Sequence, residues 1–264
     1  MEMTATKTQH TVNEVRSLLY VVLIALVIRS FVIELFFVPT GSMKATVLEG
    51  DYIFSTKYSY GYSKYSFPFS PDLFNDRIFA SAPQRGDIII FRPPMNMELR
   101  YIKRLIGLPG DKVQLINDII YINDHPIDRM EIGSYIDEQG YKYNKYKETL
   151  PNGSSYTAYK LDRHTESFAL PSNKYSSTEV FYVPKNHYFF LGDNRDNSND
   201  SRAELGFVPF ENFIAKGQLI LFSTKELLWV DHGSFVERIA RIWLWLKSIR
   251  FDRMFHSIYH LTVD

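Results

Sequence analysis

The sequence predicts a mainly β protein, with folded-over antiparallel sheets or a partly open barrel, preceded by one N-terminal transmembrane helix. Three observations carry this expectation. An almost unbroken apolar run fills residues 18–38, interrupted by few polar side chains. Beyond residue 42 the pattern changes to short β-branched and aromatic runs separated by turn residues, which is how strands read. Eight such runs follow at close spacing, and that many short strands bury their faces by folding over or partly closing.

The 264 residues suffice for one sizeable core, and one main domain is expected. Thirty Lys and Arg balance thirty Asp and Glu, so no global field attracts nucleic acid and no nucleic-acid partner is expected. There is no Cys, which excludes disulfides, thiol nucleophiles and cysteine metal sites. No metal and no cofactor are expected.

Taken in order, residues 1–14 are polar and read as a cytoplasmic N-terminus. Residues 15–36 read as the transmembrane helix: only Tyr20 is polar between 18 and 28, and only Glu34 is charged between 31 and 38. The uninterrupted part is shorter than the ~20 residues that span a bilayer, but Arg16 and Arg29 can snorkel their charges outward and extend it. A cleaved leader needs small residues at its end, whereas bulky side chains and Pro39 follow Phe31. A buried core helix would be striped instead of apolar on all faces. Lys7 and Arg16 place the amino terminus in the cytoplasm. Residues 37–232 then form an extracytoplasmic β-rich domain.

Within it, strands are expected at 51–56, 87–91, 101–106, 113–116, 119–122, 179–183, 187–191 and 217–222, with turns at Asn117-Asp118 and Asn123-Asp124. Two Tyr- and Ser-rich stretches, 58–82 and 127–178, lack periodicity and read as surface insertions. Residues 233–264 read as an amphipathic helical tail, with Phe235, Ile239, Ile242, Trp243 and Leu246 at helical spacing. Such a helix either lies in the membrane interface or packs on the domain.

Ser42, in Val38-Pro39-Thr40-Gly41-Ser42-Met43, stands where the apolar run ends. A serine needs a base before it becomes a nucleophile. None of the seven His sits in a motif, and neither Gly-x-Ser-x-Gly nor His-Glu-x-x-His occurs. A lysine serves if burial strips its proton. Lys103 lies in the apolar run Tyr101-Ile102-Lys103-Arg104-Leu105-Ile106, stopped by Gly107-Leu108-Pro109-Gly110-Asp111. Alternation puts Tyr101, Lys103 and Leu105 on one face and Arg104 on the other. A third cluster, Gly192-Asp193-Asn194-Arg195-Asp196-Asn197-Ser198-Asn199-Asp200-Ser201-Arg202, is dense in Asp and Asn. It lacks the spacing and closing Glu of a calcium loop, and its two Arg oppose a cation. It reads as a self-bonded loop that holds a hydroxyl near the site.

Together with Arg85-Gly86-Asp87 before a strand, these stretches resemble bacterial type I signal peptidase (leader peptidase), a membrane-anchored serine protease with a Ser-Lys dyad. The resemblance implies Ser42 as nucleophile and Lys103 as general base. It implies that the Thr40 hydroxyl joins the Ser42 backbone N–H in an oxyanion hole, that Ser198 orients the lysine, and that Asp200 and Arg202 form a supporting salt bridge. The family pattern has Pro two residues after the Met, where this chain has Ala45, so the stiffness of that turn must come from elsewhere.

The implied activity is cleavage of signal peptides of the Ala-x-Ala type from exported preproteins, with membrane lipid as the other partner. An extended leader with small alternate residues suits a strand edge with shallow pockets, and residues 33–38 and 101–103 offer such edges. Two other readings fit the same features less well: a self-cleaving repressor-like Ser-Lys protease, which lacks an anchor, and a membrane-tethered peptide-binding module with a structural Ser42.

Overall fold

The computed structural model describes residues 2–67, 70–72, 76–162, 175–225 and 244–259. A long helix, α1 (Glu2–Phe31), leads into strands β1 (Ile33–Phe37), β2 (Asp51–Thr56), β3 (Ile88–Phe91), β4 (Tyr101–Gly107), β5 (Lys112–Ile116), β6 (Ile119–Ile122) and β7 (His125–Pro126). These are followed by β8 (Asp128–Ile136), β9 (Lys142–Thr149), β10 (Ser155–Leu161), β11 (Phe181–Tyr182), β12 (His187–Leu191), β13 (Val208–Pro209) and β14 (Phe213–Ser223).

Seven strands form the main sheet in the order β1-β2-β14-β3-β4-β12-β13. The run Ile88-Ile89-Ile90-Phe91 is buried on both faces, which is why it is continuously apolar instead of alternating. Its even positions join Phe36, Val38, Met43, Ile53 and Ile102 in one core. Its odd positions join Leu105, Phe190 and Phe213 in another. β1 and β4 are separated by three strands, yet both contribute to the first core, so the sheet curls. Register shifts along β14, at Phe213/Ala215, Gly217/Leu219 and Ile220/Phe222, supply that curvature. At Gly217 an added Cβ would meet the end of the Ile258 side chain at 2.8 Å, so a larger residue makes Ile258 shift.

Asn117, Asp118, Asn123 and Asp124 all have positive φ. The first pair joins β5 to β6 and the second joins β6 to β7, the two-residue geometry in which Asn and Asp tolerate the left-handed region.

Three expectations are corrected. The apolar run does not continue as helix to residue 36: α1 ends at Phe31 and Ile33–Phe37 pairs with β2 from Ile33↔Thr56 to Phe37↔Tyr52. β2 offers an open edge, and β-branched and aromatic side chains fit a pleated surface better than a helix. No helix among the described residues is long and apolar enough to cross a membrane.

Second, the stretch 127–178 is not all irregular, because β8, β9 and β10 form a sheet of their own. β8 is exposed along almost its whole length, so no alternation marked it. Within 58–82, two 3-10 turns and the buried Tyr60, whose hydroxyl donates to Asp87 at 2.8 Å, tie the segment to the domain.

Third, the described tail is helical at residues 244–247 and leaves the helix from 248 to 259, so the helix does not run through the whole of 233–264. Positions 226–243 and 260–264 lie outside the described residues. Residues 244–247 are helical and place Trp245 5.2 Å from Phe222, and the chain then bridges Thr224, just past β14, at Ile249 and Leu219 of β14 at Ser257. Ile258 enters the first core.

Asp51 fastens this tail. It is wholly buried, accepts from Ser223 Oγ at 2.6 Å, and pairs with Arg253 at 2.8 Å and Arg250 at 3.2 Å. Asp51→Ala leaves two guanidiniums without their counterion. The variant is expected to lose about 3–5 kcal/mol, read as a lower urea midpoint.

Candidate active site

After β1, Pro39 and the extended Thr40 (φ −138°, ψ 152°) lead into a 3-10 turn, Gly41–Met43. Met43 is buried in the first core and pins the turn from below. The turn closes through Lys44 N–H to Gly41 O at 3.1 Å, and Thr46 and Val47 N–H both donate to Met43 O at 2.8 Å. Ala45 packs wholly buried with Tyr143, Tyr159 and Leu161. Packing on the β9–β10 hairpin therefore supplies the stiffness that a proline would otherwise give.

Lys103, on β4, donates from Nζ to Ser42 Oγ at 2.6 Å and to its neighbour's carbonyl, Ile102 O, at 3.1 Å. Its side chain is 4% exposed, and its ammonium lies 5.2 Å from the Tyr101 ring. Burial lowers its pKa to about 8, against the opposing pull of the Asp200 and Asp193 charges. A deprotonated Lys103 has a lone pair aimed at the Ser42 hydroxyl.

The Gly192 to Arg202 loop covers this pair from the other side. Asp193 takes Arg104 in a bidentate fork, Nε to Oδ1 at 2.8 Å and Nη2 to Oδ2 at 2.7 Å, and also accepts from Thr46 Oγ1 at 2.6 Å. Asn194 bonds the serine turn twice, N–H to Ser42 O at 3.1 Å and Nδ2 to Gly41 O at 3.0 Å. Asp200 pairs with Arg202 at 2.8 Å and accepts from Gly192 N–H at 3.0 Å. Burial alone would raise the Asp200 pKa, but the Arg202 guanidinium holds it below the ordinary range.

Ser42 and Lys103 are thus brought into direct contact, and Asp200 and Arg202 are paired beside them. Ser198 makes no hydrogen bond to Lys103, although it lies close to the Ser42 turn: a Cβ on Gly192 would fall 2.2 Å from Ser198 Oγ and 2.6 Å from Ser42 O. Thr40 stands exposed at the lip of the site. Sequence reasoning left out Arg104, Asp193, Thr46 and Glu148. The first two were within its motifs. Glu148, wholly buried and bound to Arg195 at 2.8 Å, sits in the stretch that gave no signal.

Two backbone edges flank the site. Among the described residues β1 pairs only with β2, and β12 reaches β4 no further than Leu191↔Arg104, so Tyr101, Ile102 and Lys103 are open on that side. A cavity of about 470 Å³ opens beside Gly41, between Asn194 and the Tyr135 and Asp137 side chains, next to the Ser42–Lys103 pair without including it.

Gly192→Ala must push the loop off the Ser42 turn. The expected result is a loss of about 1–3 kcal/mol in urea unfolding, as for other overpacked sites.

A family model described as signal peptidase, peptidase S26, matches residues 11–222. The signal peptidase I of Rickettsia prowazekii (strain Madrid E) is 59% identical over 252 residues, covering 94% of each chain. That of Rickettsia typhi (strain ATCC VR-144 / Wilmington) is 59% identical over 261 residues, covering 97% of each. A crystal structure of a signal peptidase I from Enterococcus faecalis V583 aligns with 52% of this chain and 97% of that one, at 29% identity and a TM-score of 0.30. With the match running through most of its length, the chain belongs to the signal peptidase family, peptidase S26.

Proposed function

We propose that this chain is a serine endopeptidase that removes N-terminal signal peptides, of the Ala-x-Ala type, from exported preproteins at a membrane surface. The observation that carries the mechanism is the buried 2.6 Å contact between Lys103 Nζ and Ser42 Oγ. Neutral Lys103 takes the hydroxyl proton as Ser42 Oγ attacks the scissile carbonyl carbon. The resulting oxyanion is met by the Ser42 backbone N–H and the Thr40 hydroxyl. As the C–N bond breaks, the Lys103 ammonium returns its proton to the leaving amine. Lys103 then deprotonates the water that hydrolyses the acyl-serine ester. Asp200 with Arg202 holds the loop in place. Ser198, whose hydroxyl is buried beside the Ser42 turn without bonding Lys103, orients the lysine once that hydroxyl turns toward it.

The two open edges, β1 and residues 101–103 of β4, suit an extended leader laid between them. A membrane anchor is supported by α1, whose residues Leu18, Leu19, Val21, Leu23 and Ile24 are each more than 55% exposed. So much apolar surface in water is unfavourable, and a bilayer removes it. The apolar part alone is short of a span, so Arg16 and Arg29 would snorkel to the two surfaces. The amino terminus then lies in the cytoplasm and the catalytic domain outside.

Ser42→Ala is expected to abolish cleavage of a short Ala-x-Ala peptide in detergent, with thermal unfolding nearly unchanged. Thr40→Val is expected to lose about 10²-fold in turnover. Comparable turnover in either variant and the wild type rejects the role given to that residue.

Because only the neutral amine accepts a proton, activity falls as pH drops through the lowered Lys103 pKa, about 8. Lys103→Arg is expected to be inactive, since guanidinium keeps its proton there. The described ring contacts of His125 and His187 are to nearby backbone carbonyls at Asn123 and Lys185. Replacing either should leave the acidic limb intact, and its disappearance points instead to a histidine base. For the anchor, Thr4→Cys in a chain without native Cys should resist an impermeant thiol reagent added outside intact cells. Labelling of that position contradicts the orientation.

A further inference from the structure

The slot between β1 and β4 has the catalytic pair at one end and an ion cluster at the other. Both strands run toward the pair: β1 leads into the Ser42 turn, and β4 enters at Tyr101 and carries Lys103. Glu34, Phe36 and Val38 are buried on one side of the first edge. Phe36 and Val38 share a core with Ile102 of the second. One layer further from Ser42, Glu34 meets Arg100, which immediately precedes β4. The main sheet places three strands between β1 and β4, so this ion pair reaches across the slot and not along a ladder.

The cluster carries a surplus of positive charge. Glu34 is 7% exposed and both its oxygens are taken, Oε1 by Arg100 and Oε2 by Lys57 at 2.8 Å. Lys57 is itself buried and also donates to Ser66 O at 2.7 Å. Its pKa is lowered, first by burial and further by the charges of Arg100 and Arg29, against the pull of Glu34. Arg100 uses a single nitrogen on Glu34 and its side chain is 41% exposed. A guanidinium has five N–H donors, so the part-exposed Arg100 keeps donors beyond the one on Glu34 to offer at the mouth of the slot.

From the catalytic Lys103 back to Arg100 is three residues, about 10 Å of extended chain at ~3.3 Å each. A leader strand lying in the slot in the same direction as β1 and β4 covers the same distance in three residues. Its fourth residue before the scissile bond therefore arrives at Arg100.

We propose that the Glu34–Arg100–Lys57 cluster is a cationic collar at the upstream end of the substrate slot. It selects the charge of the leader at about the fourth residue before the cleavage point, favouring acidic or neutral side chains over basic ones. The inference rests on the peptidase reading of the slot. Arg100 supplies the free donors, Glu34 holds it across the slot, and Lys57 keeps the Glu34 carboxylate saturated.

The test uses the full chain in detergent and three peptides that share an Ala-x-Ala end and differ only in Glu, Gln or Lys at the fourth residue before the bond. The wild type is expected to show a kcat/KM about tenfold higher for Glu than for Lys, narrowing as salt is raised. Arg100→Lys should keep the preference, Arg100→Gln should bring the ratio close to one, and Arg100→Glu should invert it. Because each ratio compares two peptides on one preparation, partial unfolding of a variant does not alter it. A Glu-to-Lys ratio that is the same in the wild type and in Arg100→Glu overturns the collar. Failure of the wild type to cleave even the Gln peptide overturns the peptidase reading, and the collar with it.

Discussion

The fork between Arg104 and Asp193 is the interaction on which the rest of the site depends. It joins the strand that carries Lys103 to the loop that covers Ser42, and Thr46, just past the serine turn, donates to the same carboxylate. All three groups are almost fully buried. A buried charge without its counterion is strongly destabilising, whereas a bidentate, fully bonded pair fixes geometry. The three chain segments are thereby held in one arrangement, and the 2.6 Å approach of Lys103 to Ser42 follows from it.

That arrangement sets a condition on Lys103. Alternation along β4 turns Arg104 toward Asp193 and Lys103 toward Ser42, so neighbouring cations face different surroundings. Arg104 meets a carboxylate and stays charged. Lys103 is buried against the serine and the Tyr101 ring, and its pKa drops to about 8. The carboxylates of Asp193 and Asp200 moderate the drop. Burial makes Lys103 easier to deprotonate, and the ion pairs beside it keep the buried loop satisfied.

The insertion sheet extends the same logic outward. Glu148 of β9 binds Arg195 of the loop, and Arg195 also donates to the hydroxyl of Tyr156 at 3.1 Å. Ala45, behind the nucleophile, packs on Tyr143 and Tyr159 of the same hairpin. The residues that replace the missing proline thus come from a segment that looked like surface decoration in the sequence.

The sequence by itself determined the pieces that local pattern encodes. Continuous apolar runs or alternation marked β2, β3, β4 and β12, Asn-Asp pairs marked the tight turns, and a lysine isolated in an apolar strand marked the candidate base. Ser42 stood out because it follows the apolar run and opens a motif. What only the tertiary structure decided are the pairings between distant segments. Residues 33–37 look helical or membrane-bound by hydropathy and become strand because β2 offers its edge. β8 carries no hydrophobic alternation because it is exposed, so its pairing with β9 is written in partners and not in period. Lys103 and Ser42 are 61 residues apart, and Arg104 and Asp193 are 89 apart. Periodicity reports which face of one element is buried. Which charged side chain meets which across the core depends on how the sheet curls, and that curl is fixed by packing of all its strands at once.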